Sequence, residues 1–225
     1  MPAAAAARAP ATPSLPPDLE PADLGDGALT DEARLEGLEL GGGLPPGTVA
    51  RSATLAGCRV RGSLAGARLH DLHALDVAFV GADLANADLR GGAVTRVTVT
   101  QSRLTGAQLL ETTLRDVTLD GCRLEFSVLA GARIDRVLFR DCDLREVSLE
   151  QAQLRDVRFE RCDLSGAALG QARLQRVELD GCRLDGVRAI GDLRGATMPW
   201  SDIVGHAGAF AAALGIGVVA VEEDD

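Results

Sequence analysis

The chain has 225 residues, 46% of them hydrophobic and 25% charged, with a formal net charge of −10 at pH 7. That is enough apolar material for one domain or one elongated array, but Tyr is absent, Trp occurs once and aromatics make up 3%, so Leu, Val and Ala must build the interior. All 23 basic residues are Arg, which excludes a Walker A phosphate loop and any Schiff-base or pyridoxal enzyme, because both need a Lys amine.

Residues 1–30 are rich in Ala and Pro and are expected to be disordered. Their Ala run has no basic region ahead of it and is broken by prolines, so it makes a poor signal peptide. No stretch reaches the roughly 18 unbroken apolar residues that a transmembrane helix needs. With an odd count of five Cys, the expectation is a cytoplasmic protein in a reducing compartment, without a membrane partner.

Residues 31–61 read as one or more irregular coils: Leu35, Leu40, Ala50, Leu55 and Val60 hold a five-residue phase, interrupted by Gly41 to Gly43 and by Pro45 and Pro46. The glycines run into Leu44 and two prolines rather than a helix N-terminus, so they suit a turn better than a phosphate loop. The register slips by one residue between Val60 and Leu64.

Residues 62–190 are regular. From Leu64 to Ala189 every fifth residue is apolar, 26 in succession, a run with a chance on the order of one in a billion for independent residues. Two positions before each centre lies a second, uncharged and mostly small series, including Ala67, Ala82, Ser102, Cys122 and Ala132, with Leu72 as the one large exception. A helix turning about 100° per residue would scatter a five-residue period around its whole surface. Extended tripeptides place residues two apart on one side, so both series face a common interior while Asp, Arg, Gln and Gly turn the corners.

The segment GADLANADLRG, Gly81 to Gly91, resembles the A(D/N)Lxx repeat of the pentapeptide-repeat family, and the likeness holds register over most of the chain. The resemblance implies an all-β solenoid, a right-handed quadrilateral parallel β-helix with four pentapeptides to a coil. A twenty-residue period should then appear in the sequence, and it does: Cys122, Cys142, Cys162 and Cys182 form one column, and Val117, Val137, Val157 and Val177 another. Phe139 and Phe159 belong to a third. With strands about 4.8 Å apart, roughly eight coils would make a rod of about 38 Å.

Residues 191–221 read as a C-terminal cap with a short helix at about 201–214, N-capped by Ser201 and stopped at Gly215. Ile203, Ala207, Phe210 and Leu214 share a helical face, and Trp200 with Phe210 is assigned to the cap core. The IGVVAV segment is expected to add a strand before the acidic tail at 222–225. Surplus apolar surface on the cap (Trp200, Ile203, Phe210, Leu214) offers a homodimer interface.

Candidate chemistry is sparse. Four Cys stacked at twenty-residue intervals form a line, whereas zinc needs sulfurs around one point, so they read as buried packing residues with no metal, cofactor or disulfide role. His70, Asp71 and His73, with Ser63 or Ser102, could be imagined as a triad, but the histidines fall on outward positions and there is no nucleophile-elbow motif. His206 reads as a packing or surface residue.

The resemblance also raises DNA mimicry, since some members of that family are rods that imitate duplex DNA and inhibit or protect DNA gyrase. Charge argues against it. Residues 1–61 carry −3, 62–190 carry −2 and 191–225 carry −5, whereas a DNA surrogate needs a sustained negative field. Charges also alternate up the coil, as in Asp116, Arg136, Asp156 and Arg176. The expectation is a non-catalytic scaffold for an unknown protein partner, without direct nucleic-acid binding, with gyrase as the alternative partner.

Overall fold

In the computed structural model, which describes residues 6–217, the chain is a right-handed quadrilateral parallel β-helix of about nine turns with a short helical region at its C-terminal end. The first turns are built from short faces: β1 (Glu20–Asp23), β2 (Arg34–Glu36), β3 (Leu38–Gly41), β4 (Val49–Arg51), β5 (Thr54–Ala56), β6 (Arg59–Val60) and β7 (Arg68–His70). Six eight-residue strands follow, β8 (His73–Val80), β9 (Ala93–Thr100), β10 (Thr113–Asp120), β11 (Arg133–Arg140), β12 (Gln153–Glu160) and β13 (Arg173–Asp180), and then β14 (Ala196–Thr197).

All pairing is parallel. In the regular part it joins residues twenty apart, as in Val117 with Val137 and Val157 with Val177. The slip between Val60 and Leu64 emerges as a shorter offset: Leu35 pairs with Leu55, but Leu55 pairs with Ala74. Both inward series are buried along most of the rod, with Val94, Ala172, Leu174 and Val187 partly buried and Ala189, at the C-terminal end of the regular coils, exposed. The Phe139 and Phe159 rings stack with centroids 4.9 Å apart and planes 7° from parallel, close to the strand spacing itself. Oversized Leu72 is followed one coil later by Gly92, where a Cβ would lie 2.7 Å from the Leu72 carbonyl oxygen. A cavity of about 60 Å³ remains where Val94, Val97 and Val99 line the interior beside Phe79 and Leu119.

Each eight-residue strand bends round one corner of the square. The turning residues are Asp76, Arg96, Asp116, Arg136, Asp156 and Arg176, with φ between 50° and 55°. A left-handed conformation costs an L-residue roughly 1–2 kcal/mol, which glycine avoids. The other three corners use glycine in part, with Gly91 and Gly131 at one, Gly81, Gly121 and Gly181 at the next, and Gly106, Gly166 and Gly186 at the last. From Asp76 to Arg176 the first corner uses none.

Two departures from expectation concern the ends. Residues 6–30 are not a free segment: Leu24 and Leu29 are buried, β1 pairs with β3, and residues 7–14 are hydrogen-bonded along the rod. Leucines five apart at 24 and 29 continue the inward series one coil further than the sequence reading took it. The expected single helix is two, α1 (Trp200–Gly205) and α2 (Ala207–Ala213), broken at His206. Pro199, not Ser201, occupies the N-cap, and Ser201 bonds to Asp202 instead.

The cap serves the last strand edge, whose backbone groups have no further coil to pair with. Asp192 accepts from the Gln171 amide at 2.8 Å, Asp202 accepts from the Gly181 amide at 2.7 Å, and His206 Nε2 donates to the Cys182 carbonyl oxygen at 3.0 Å. Phe210 packs on the core and meets the His206 ring edge-on. Trp200 does not join it: it is 76% exposed, at the first position of α1, and lies outside the cap core. The expected strand in IGVVAV and the acidic tail fall mostly or wholly outside the described residues.

Candidate interaction surface

The Cys column is part of the interior. Cys122, Cys142, Cys162 and Cys182 are buried free thiols, and each donates to a main-chain carbonyl of the coil below, from Val99, Leu119, Phe139 and Phe159 in turn. Hydrogen bonding to the Cys142 sulfur, together with burial, pushes the thiols of Cys122 and Cys162 well up. Such thiols are poor nucleophiles. Val117, Val137, Val157 and Val177 line the same interior.

The triad residues are not assembled. His70 Nε2 lies 3.0 Å from Asp88 Oδ2, and Asp88 is also held bidentately by Arg90. Ser102 is buried, donating to the Thr100 carbonyl and accepting from the Ala82 amide. Ser63 caps the Ala65 amide. Among the described residues no helix is long and apolar enough to cross a membrane.

The surface with the most structure is the glycine-free corner. Its six residues form fork-like ion pairs between adjacent coils. Arg96 binds Asp76 at 2.7 and 2.5 Å, Arg136 binds Asp116 at 2.7 and 2.7 Å, and Arg176 binds Asp156 at 2.5 and 2.7 Å, each through Nε and Nη2. Guanidinium hydrogen bonds hold the carboxyls of Asp76, Asp116 and Asp156 below the usual carboxylate range.

Along this corner lies the N-terminal arm. The Ser14 amide donates to Asp76 at 3.0 Å, the Ala11 amide to Asp116 at 3.2 Å and the Arg8 amide to Asp156 at 3.3 Å. The Arg8 guanidinium adds bonds of 3.0 and 2.8 Å to the same Asp156 carboxylate, whose side chain is 0% exposed. Beyond it, the Ala7 amide donates to Glu178 at 2.6 Å and Arg158 donates to the Ala7 carbonyl. The arm therefore runs opposite to the direction in which the coils stack.

The opposite corner carries a different feature. Phe126 is 63% exposed and left-handed (φ 60°), in a column where the coils below and above place Gly106 and Glu146. Neither the arm contacts nor Phe126 was a candidate from sequence. The signal for the first was present as prolines at 10, 13 and 16, three apart.

Family models for the pentapeptide repeat region and for pentapeptide repeats (8 copies) match residues 92–169 and 152–188. No curated protein matches the chain. Among solved structures it is similar to HetL, a pentapeptide repeat protein involved in heterocyst differentiation regulation from the cyanobacterium Nostoc sp. strain PCC 7120, at 21% identity, 77% of this chain, 92% of that one and a TM-score of 0.33. It is similar to QnrB1, a plasmid-mediated fluoroquinolone resistance protein, at 19% identity, 90% and 100% coverage and a TM-score of 0.44. A pentapeptide repeat protein from the Arabidopsis thaliana thylakoid lumen matches at 19% identity over 56% of this chain and 72% of its own, with a TM-score of 0.26.

Proposed function

We propose that this chain, which belongs to the pentapeptide-repeat family, is a non-catalytic cytoplasmic scaffold that presents its outer walls to a protein partner. The observation that carries this reading is charge compensation along the rod. Arg and Asp or Glu alternate between neighbouring coils and are ion-paired there, as in Arg136 with Asp116, Arg161 with Asp141 and Arg140 with Glu160. Such a wall has fixed donors and acceptors and little net field, which suits recognition by shape and hydrogen bonding. Phe126 supplies an aromatic anchor on it. Trp200, Val204 and Leu214, each exposed at the cap, are the apolar side chains we assign to homodimerisation.

The alternative, a DNA mimic acting on gyrase, needs unpaired carboxylates in sustained rows. Affinity capture from native lysate, with wild-type and Phe126→Asn baits, tests the first reading. A partner recovered with wild type and lost with the variant supports it, while recovery of nothing by either bait counts against it. In a supercoiling assay with and without a quinolone, inhibition or protection of gyrase at micromolar protein would favour the alternative. Sedimentation of Trp200→Ser against wild type tests the dimer.

A further inference from the structure

The arm and the corner share one repeat length. Two coils advance about 9.6 Å, and three residues of polyproline II advance about 9.3 Å. The arm uses this match. Its amide donors at Ser14, Ala11 and Arg8 are three residues apart, and their acceptors at Asp76, Asp116 and Asp156 are two coils apart. The residues turned toward the rod are also three apart: Ala7 is buried, and Pro10 and Pro13 are partly buried between exposed neighbours.

Proline fixes φ near the polyproline II value and has no amide hydrogen, so a period of three leaves a free donor beside each proline. Pro10 and Pro13 do this here, with Ala11 and Ser14 as the donors that follow them, while Pro16, followed by Pro17, lies against Gly57, the left-handed residue that precedes Asp76 in the same corner column. Between adjacent Asp residues the intervening Arg neutralises the column and fixes each carboxylate in place. This is also the corner that accepts left-handed strain from Asp76 to Arg176 without glycine. The other three corners mix glycine with left-handed residues such as Glu111, Gln151 and Asp141.

We propose that the Asp76 to Arg176 corner is a docking groove for polyproline II segments, that residues 7–16 are its resident ligand in cis, and that a proline-rich partner segment with a free amide at every third residue and an Arg placed to reach Asp156 displaces the arm. This deepens the scaffold reading and rests on it for its biological purpose. Tethering gives the arm a high local concentration, so a ligand in trans competes at a disadvantage until the arm is weakened.

The test uses the full chain, ¹⁵N-labelled, titrated with an unlabelled synthetic peptide of residues 6–17, with amide exchange and chemical shifts as readouts. In the free protein the Arg8, Ala11 and Ser14 amides should exchange more slowly than Ala9 and Thr12, whose amides have no partner on the coil among the described residues. Ala11→Pro keeps the polyproline II backbone but removes the donor to Asp116, and should raise the apparent affinity for the peptide roughly tenfold. Ala9→Pro, which removes an unused amide, should leave it unchanged. Asp116→Ala with Asp156→Ala should abolish binding.

Equal exchange at all five amides, or failure of the Ala11→Pro chain to bind the peptide at millimolar concentration, would overturn the groove. Ala9→Pro and Ala11→Pro acting alike would overturn the register. A dimer that grows with concentration, with each arm in the other copy's groove, would overturn the partner segment as occupant in favour of a second copy. Because the peptide titration needs no cellular partner, its failure is distinguishable from failure of the capture experiment.

Discussion

Replacing Asp156 by Ala removes a buried carboxylate held by two Arg residues and a backbone amide. Its two oxygens accept from Arg176 at 2.5 and 2.7 Å and from the Arg8 amide and guanidinium at 3.3, 3.0 and 2.8 Å, and its side chain is fully buried. Breaking a buried pair costs about 3–5 kcal/mol when the surviving charge is trapped. Here both Arg residues reach water and keep much of their solvation, so the expected loss is about 2–3 kcal/mol. For a chain of this size that lowers Tm by roughly 5–10 °C.

The matched control is Asp141→Ala. Arg161 binds Asp141 with nearly the same fork, 2.7 and 2.8 Å, but the Asp141 side chain is 48% exposed, so its loss should stay within about 0.5 kcal/mol. The Asp156 deficit also depends on pH. Because Arg176 holds the Asp156 carboxyl below its ordinary range, its contribution is fully present above about pH 4 and is lost as pH falls through the lower folded-state value. Thermal unfolding at pH 7 and pH 3 should therefore show the Asp156→Ala deficit shrinking in acid. Equal losses for Asp156→Ala and Asp141→Ala would refute the claim that burial of the pair, rather than its geometry, sets its value.

Other parts of the rod give independent outcomes. Phe139→Ala should cost about 3–5 kcal/mol in urea titration, since it empties a buried ring position and removes the stack on Phe159. Val99→Leu, which fills part of the cavity beside Phe79, should gain up to about 0.8 kcal/mol. Phe126→Asn should leave the fold intact and raise stability by about 0.5–1 kcal/mol, because Asn tolerates the left-handed backbone better. The four stacked Cys should react with a thiol reagent only on unfolding, and added chelator should leave Tm unchanged.

The coil was legible because its cause is local. A five-residue period of apolar residues is incompatible with any helix face, and the twenty-residue columns of Cys and Val each map onto one ladder of main-chain pairing. The ends were less legible because their causes are tertiary. Leu24 and Leu29 carry the same spacing, but proline-rich sequence around them argues for disorder until β3 offers β1 a partner. Trp200 looked like core because it is large and apolar, and nothing local shows that the helix breaks at His206 to send that ring's Nε2 to the Cys182 carbonyl.

The arm was hidden for a different reason, which bears on what the corner is for. Composition classes residues 6–17 as disordered because they hold too little apolar surface to order themselves. They are ordered by a surface that repeats at their own pitch. Either half alone is uninformative: prolines three apart make a generic extended linker, and alternating Asp and Arg up a ladder make a generic stabilising column. The two signals gain meaning only through a length common to both, about 9.6 Å for two coils against about 9.3 Å for three residues. The arm uses this match along its whole bonded length, from Asp76 through Asp116 to Asp156, so one extended segment is read by its backbone at three successive points of the column.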